Sequence, residues 1–150
     1  MRSTLPLQAT QSSLILLVDD NPHGMLARAA VLKSLGYEVI TAASAEEALE
    51  VACARALDLV VTDFRMPEMD GKQLIDALRT RGFGMPVILL SGFADKLGFD
   101  EKNSGANLVI QKSSNEVAVL ASAIKRLLSN ARKPPSSASA ATSKRSAVGD

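Results

Sequence analysis

"DLVVTDFRMPEMDG", residues 58–71, is the stretch on which the reading of the chain turns. Leu59, Val60 and Val61 form a short apolar run that ends in Thr62 and then Asp63. Pro67-Glu68-Met69-Asp70-Gly71 has the composition of a turn and leads into residues of helical pattern. A run this short, apolar and valine-rich reads as a buried strand of a parallel sheet. An aspartate at its end is explained cheaply by a turn. It is explained better by chemistry, provided that residues elsewhere in the chain answer to it.

The same rhythm recurs along the chain. "LILLV" (14–18), "YEVITA" (37–42), "LDLVVT" (57–62), "PVILLS" (86–91) and "NLVIQ" (107–111) are the strand candidates. Segments of helical length lie between them. Residues 23–35 place Met25, Ala29 and Leu32 at helical spacing, with Gly36 as a C-terminal stop. "SAEE" (44–47) has the form of a capping box, with Ser44 as cap, opening a helix to about Ala54. Residues 71–80 carry Leu74, Ile75 and Leu78. "SSNE" (113–116) repeats the capping-box form before a helix to about Asn130, with Val117, Leu120, Ile124 and Leu127 on one stripe. Residues 93–104 show poor periodicity and suit a short or mobile helix. A strand–helix pair repeated five times predicts an α/β fold: a doubly wound (βα)5 three-layer sandwich around a five-stranded parallel sheet.

Composition bounds the function. The chain has 150 residues, 47% hydrophobic and 22% charged, which suits one domain of ordinary globular make-up. Residues 14–130 form the expected domain, with 1–13 as a flexible leader and 131–150 as a disordered Ser/Ala/Pro-rich basic tail. The domain carries 12 Lys and Arg against 15 Asp and Glu, so it is no basic nucleic-acid footprint. No apolar run is long enough for a membrane span, and the N-terminus does not read as a signal peptide. Cys53 is the single cysteine, which excludes a disulfide framework and fits a reducing cytoplasm.

In a doubly wound sheet, ligands bind beyond the carboxyl ends of the strands. Those ends carry Asp19-Asp20, Asp63, Ser91-Gly92 and Lys112; the second strand ends in nothing notable. Three carboxylates, a hydroxyl and an amine would then share one rim. Carboxylates so crowded repel, and a hard divalent cation such as Mg²⁺ relieves them. The lysine suits a phosphoryl oxygen, and a carboxylate can itself act as nucleophile and form an acyl phosphate. The set matches in-line phosphoryl transfer onto an aspartate.

These residues give the chain its resemblance to the response-regulator receiver domains of two-component signalling. "LILLVDDN" (14–21), "VVTDFRMPEMDG" (60–71), "PVILLSG" (86–92) and "GANLVIQK" (105–112) stand in that family's order and spacing, over residues 14–130. The resemblance implies a flavodoxin-like fold, with Asp63 as phosphoacceptor. It implies Mg²⁺ bound by Asp20 directly, by Asp19 through water or by positioning, by Asp63, and by the backbone carbonyl of Arg65. It gives Lys112 to the phosphoryl group and Ser91 to a movement that reports phosphorylation. The implied donor is a histidine kinase or a phosphotransfer protein. The implied output is a downstream protein target, met by the face of the fourth helix, fifth strand and fifth helix. Two positions depart from the family pattern: Val109 stands where members often have Tyr or Phe, and Ser113 where a Pro commonly follows the lysine.

The expected function is a stand-alone cytoplasmic receiver, a switch or relay element rather than a true enzyme, with neither nucleic acid nor membrane as partner. A pseudo-receiver that binds protein without phosphorylation is the alternative, kept alive by Val109 and Ser113. A Mg²⁺-dependent phosphatase is disfavoured, because Arg65 stands where such enzymes place a second aspartate. Arg65 is instead a candidate for tuning how fast water attacks an aspartyl phosphate. His23 reads as a surface or capping residue, Cys53 as packed on the sheet, and Arg132-Lys133 and Lys144-Arg145 as solubilising charge.

Overall fold

The computed structural model describes residues 12–92 and 105–132. The helix expected at 93–104 and most of the leader and tail lie outside the described residues. Five strands, β1 (Leu14–Val18), β2 (Glu38–Ala42), β3 (Leu59–Asp63), β4 (Val87–Ser91) and β5 (Leu108–Gln111), pair in parallel in the order β2-β1-β3-β4-β5. The described helices are α1 (Pro22–Ser34), α2 (Ala45–Ala54), α3 (Gly71–Thr80) and α4 (Glu116–Arg132). The chain therefore has the flavodoxin-like α/β fold.

Strand alternation divides the core in two. Leu14, Leu16, Val18, Val60 and Leu89 pack under α2 and α3, which contribute Ala48, Leu49, Leu74, Ile75 and Leu78. Ile15, Leu17, Leu59, Val61, Ile88 and Leu90 pack under α1 and α4, through Ala29, Leu32, Leu120, Ile124 and Leu128. β1, β3 and β4 are buried along their whole length, as the continuous apolar runs require.

Local chemistry sets the helix starts. Asn21 Oδ1 accepts from the His23 and Gly24 amides and caps α1. Ser44 Oγ accepts from the Glu47 amide, while Glu47 Oε1 accepts from Ala43 N, one residue ahead of the cap. Asp70 and Gln73 form a full capping box at α3.

Several expectations are corrected. Ser113 and Glu116 form no capping box: Ser113 Oγ accepts from Asn115 N, α4 begins at Glu116, and the Glu116 carboxylate turns inward to Arg28. On α4, Leu128 is buried where Leu127 is only partly so. Helix α4 runs to Arg132, in keeping with the expected end at about Asn130. At the other end, Ser13 O accepts from Glu38 N, so the sheet edge already engages a residue assigned to the leader. Cys53 is exposed, not packed on the sheet.

Candidate functional site: an acidic cup at the strand tips

Register brings the site together. Val18 pairs with Thr62, and Asp63 with Leu90, so the residues after β1 stand level with the end of β3. Backbone bonds from Phe64 N to Leu90 O and from Lys112 N to Ser91 O, 2.9 and 2.8 Å, carry the ladder past the strands. Asp19 and Asp63 are buried; Asp20 is exposed. One carboxylate oxygen from each of Asp19, Asp20 and Asp63 lies within 4.8 Å of the others. Opposite ligands of an octahedral Mg²⁺ stand about 4 Å apart, so the three carboxylates are close enough together to share a small divalent cation.

Lys112 Nζ lies 2.6 Å from Asp63 Oδ1. Burial pushes the Asp63 carboxyl above its ordinary range; the Lys112 ammonium, by hydrogen bond and by charge, pulls it back only in part. Asp19 raises it further, and Arg28 opposes that. A carboxylate short of compensation is what a cation would relieve.

Each Asp19 oxygen accepts a hydrogen bond: Oδ1 from Asn21 N at 2.9 Å and Oδ2 from Arg28 Nη1 at 2.7 Å. That leaves Asp20 as the freer cup carboxylate and suits Asp19 to a positioning part. Arg28 Nε also donates to Glu116 Oε2. Burial works against the Arg28 charge, but Glu116 and Asp19 outweigh it and hold its pKa above the usual arginine value.

Ser91 ends β4, buried, with its hydroxyl donating to Gly92 O at 3.5 Å. Arg65 is exposed and lines a shallow cleft with Asp20, Phe64, Met66, Pro67 and Asp70. His23 is exposed on the first turn of α1. The structure thus brings Asp19, Asp20, Asp63 and Lys112 into one cup, sets Ser91 at its rim and opens Arg65 beside Asp20.

The sequence reading missed two buried charges. Arg28 and Glu116 are separated along the chain, and each sits in a segment whose local pattern has an adequate explanation without the other. One signal was available: Arg28 lies on the buried stripe of α1, beside Ala29 and Leu32.

Comparison with known proteins agrees with this geometry. The family model for the response regulator receiver domain matches residues 15–125. The gliding motility regulatory protein of Myxococcus xanthus is 37% identical over 119 residues, 75% of this chain and 15% of that protein. The transcriptional regulatory protein GlrR of Escherichia coli K12 is 46% identical over 77 residues, 51% of this chain and 17% of that protein. The chain spans less than a fifth of the length of these curated relatives. Among solved structures, the receiver domain of a signal transduction histidine kinase from Syntrophus aciditrophicus matches with TM-score 0.72 and 30% identity, covering 87% of this chain and 100% of that one. The response regulator TrrA of Thermotoga maritima, solved in complex with Mg²⁺-BeF, matches with TM-score 0.69 and 30% identity over 77% of this chain and 98% of its own. Among the described residues, no helix is long and apolar enough to cross a membrane. Receiver domains are phosphoacceptor switches that work with histidine kinases or phosphotransfer proteins, and this chain belongs to the response regulator receiver domain family.

Proposed function

We propose that the protein accepts a phosphoryl group on Asp63 in a Mg²⁺-dependent reaction and acts as a cytoplasmic switch or relay element. The observation that carries this reading is the 2.6 Å contact of Lys112 Nζ with Asp63 Oδ1, inside a cup of three carboxylates. Asp20, Asp63 and the Arg65 carbonyl would hold Mg²⁺, with Asp19 contributing through water or by positioning the ion. The bound ion would supply charge neutralisation for the incoming phosphoryl oxygens.

The protein's own groups do the rest. An Asp63 carboxylate oxygen attacks the phosphorus of a phosphohistidine. The new O–P bond forms as the N–P bond breaks, and the freed imidazole takes up a proton. Lys112 follows the phosphoryl oxygens, and Ser91 donates to one of them. Water attack later returns the carboxylate and inorganic phosphate, with Arg65 beside the path. Phosphorylation adds about −1.5 to −2 charge, and the resulting shift is read by a protein partner on the β5–α4 side.

Incubation with Mg²⁺ and acetyl phosphate tests the reading. A mass gain of about 80 Da, one phosphoryl group, absent in Asp63→Asn and in EDTA, is expected. No gain in the wild-type protein would support a phosphorylation-independent binding module instead.

A further inference from the structure

Below the cup lies an ion-pair chain that transfer chemistry at the strand tips does not require. The Arg28 side chain is only 9% exposed, and its two partners are similarly enclosed, Asp19 at 4% and Glu116 at 10%. Its two ends reach different parts of the fold. Nη1 holds Asp19 Oδ2 at the tip of β1, and Nε holds Glu116, the first residue of α4.

Charge bookkeeping shows what this does. Asp19, Asp20 and Asp63 against Lys112 leave the cup two negative charges in excess, the charge of one divalent cation. Arg28 and Glu116 cancel in sum but not in position. Arg28 touches a cup carboxylate, whereas Glu116 lies behind it. The near charge is therefore positive, and it draws on an oxygen of the residue that would face the ion. Gly24 lies against the pair: a β-carbon there would stand 3.4 Å from Arg28 Nη1 and 3.6 Å from Asp19 Oδ2.

We propose that Arg28 is a positioning residue that shares Asp19 with the divalent cation, sets the cup's affinity for it, and through Glu116 ties cup occupancy to the first turn of α4. This rests on the metal-holding reading of the cup given above. A cation in the cup repels the guanidinium and competes for Asp19, so Arg28 leans towards Glu116. By linkage, whatever loosens Glu116 tightens Arg28 on Asp19 and weakens cation binding. Glu116 suits its place for a second reason, since a carboxylate in the first turn of a helix faces the positive end of the helix dipole.

The two substitutions act with opposite signs, whereas general disruption of a structural ion pair would shift both the same way. Mg²⁺ alone is titrated calorimetrically into the full chain. Glu116→Gln frees Arg28 to hold Asp19 more firmly, and the Mg²⁺ dissociation constant rises, by about three- to tenfold. Arg28→Met removes the competing charge, and the constant falls by a similar factor of about three to ten. Should Arg28→Met fail to fold with Glu116 left unpaired, the double variant Arg28→Met/Glu116→Gln decides: it binds Mg²⁺ more tightly than wild type. Amide hydrogen exchange at Val117–Leu120 responds to Mg²⁺ in the wild type and not in Glu116→Gln. Single variants that shift affinity the same way, or a double variant no tighter than wild type, overturn the proposal while leaving the cup reading intact. A wild-type protein that takes up no Mg²⁺ overturns both.

Discussion

The backbone carbonyl oxygen of Asp63 stands 2.5 Å from where a β-carbon on Gly71 would be. Leu89 Cδ1 and Phe64 Cα crowd the same point, at 2.8 and 3.0 Å. Gly71 N meanwhile donates to Phe64 O at 2.8 Å, so the β3–α3 loop closes back onto the strand that ends in the candidate nucleophile. Only glycine permits that approach. Gly71→Ala is expected to destabilise the protein by about 1–3 kcal/mol. A fall in the urea midpoint at unchanged slope checks this. Gly84→Ala is the control, since a β-carbon there meets nothing within 4 Å. Equal effects at the two glycines would contradict the argument.

Lys112→Met should move two measurements in opposite directions. Lys112 is the cation in contact with Asp63, at 2.6 Å. Its removal leaves the cup more negative, so Mg²⁺ binds more tightly. It also removes the charge that follows the phosphoryl oxygens, so the rate of phosphorylation by acetyl phosphate falls by about 10²-fold. Calorimetry and single-turnover mass spectrometry read the two separately.

In metal-free protein, stability should decline as pH rises through the range where Asp63 ionises. The free side chain loses its proton at about pH 3.9. In the folded protein burial, offset only in part by Lys112, keeps the proton on to higher pH. Between those two points the folded state binds more protons than the unfolded one, and stability falls with rising pH. Asp63→Asn removes that contribution. Thermal melts in EDTA from about pH 4 to pH 7 should therefore separate the two proteins progressively, with the variant gaining on the wild type. Mg²⁺ should shrink the gap, and parallel curves would count against the Asp63 assignment.

Local signals account for what the sequence made legible. Each buried strand is a continuous apolar run, and each cup residue ends or follows one, so β1, β3, β4 and β5 and their tips could be read directly. What escaped depends on partners distant in the chain. Glu116 had a ready local role beside Ser113, yet its carboxylate reaches Arg28, 88 residues away. A buried cation wins that competition because an unpaired charge beneath the cup costs more than a missing reciprocal cap. Asp58 also has its partner far along the chain: its Oδ2 accepts from Leu14 N at 2.7 Å, 44 residues away, and pins the start of β1 against β3.

Arg79 is the counterpart at the far end of the sheet. Its Nη1 donates to Phe83 O at 2.9 Å and Met85 O at 2.7 Å, and its Nη2 to Asn107 Oδ1 at 3.1 Å. Asn107 Oδ1 also accepts from Val87 N, and Asn107 N donates to Val87 O, so a single guanidinium joins the end of α3 to the starts of β4 and β5. Burial lowers its pKa, yet an arginine stays charged throughout the physiological range. Arg79→Ala leaves two backbone carbonyls and an amide oxygen without their shared donor, at a cost of about 1–3 kcal/mol. This network is remote from the strand tips that carry Asp63. Under conditions where the variant remains folded, its phosphorylation rate with acetyl phosphate should match wild type. A lowered denaturation midpoint with an unchanged rate is the expected pair of results. A slowed rate in folded protein would show that the two ends of the sheet are coupled.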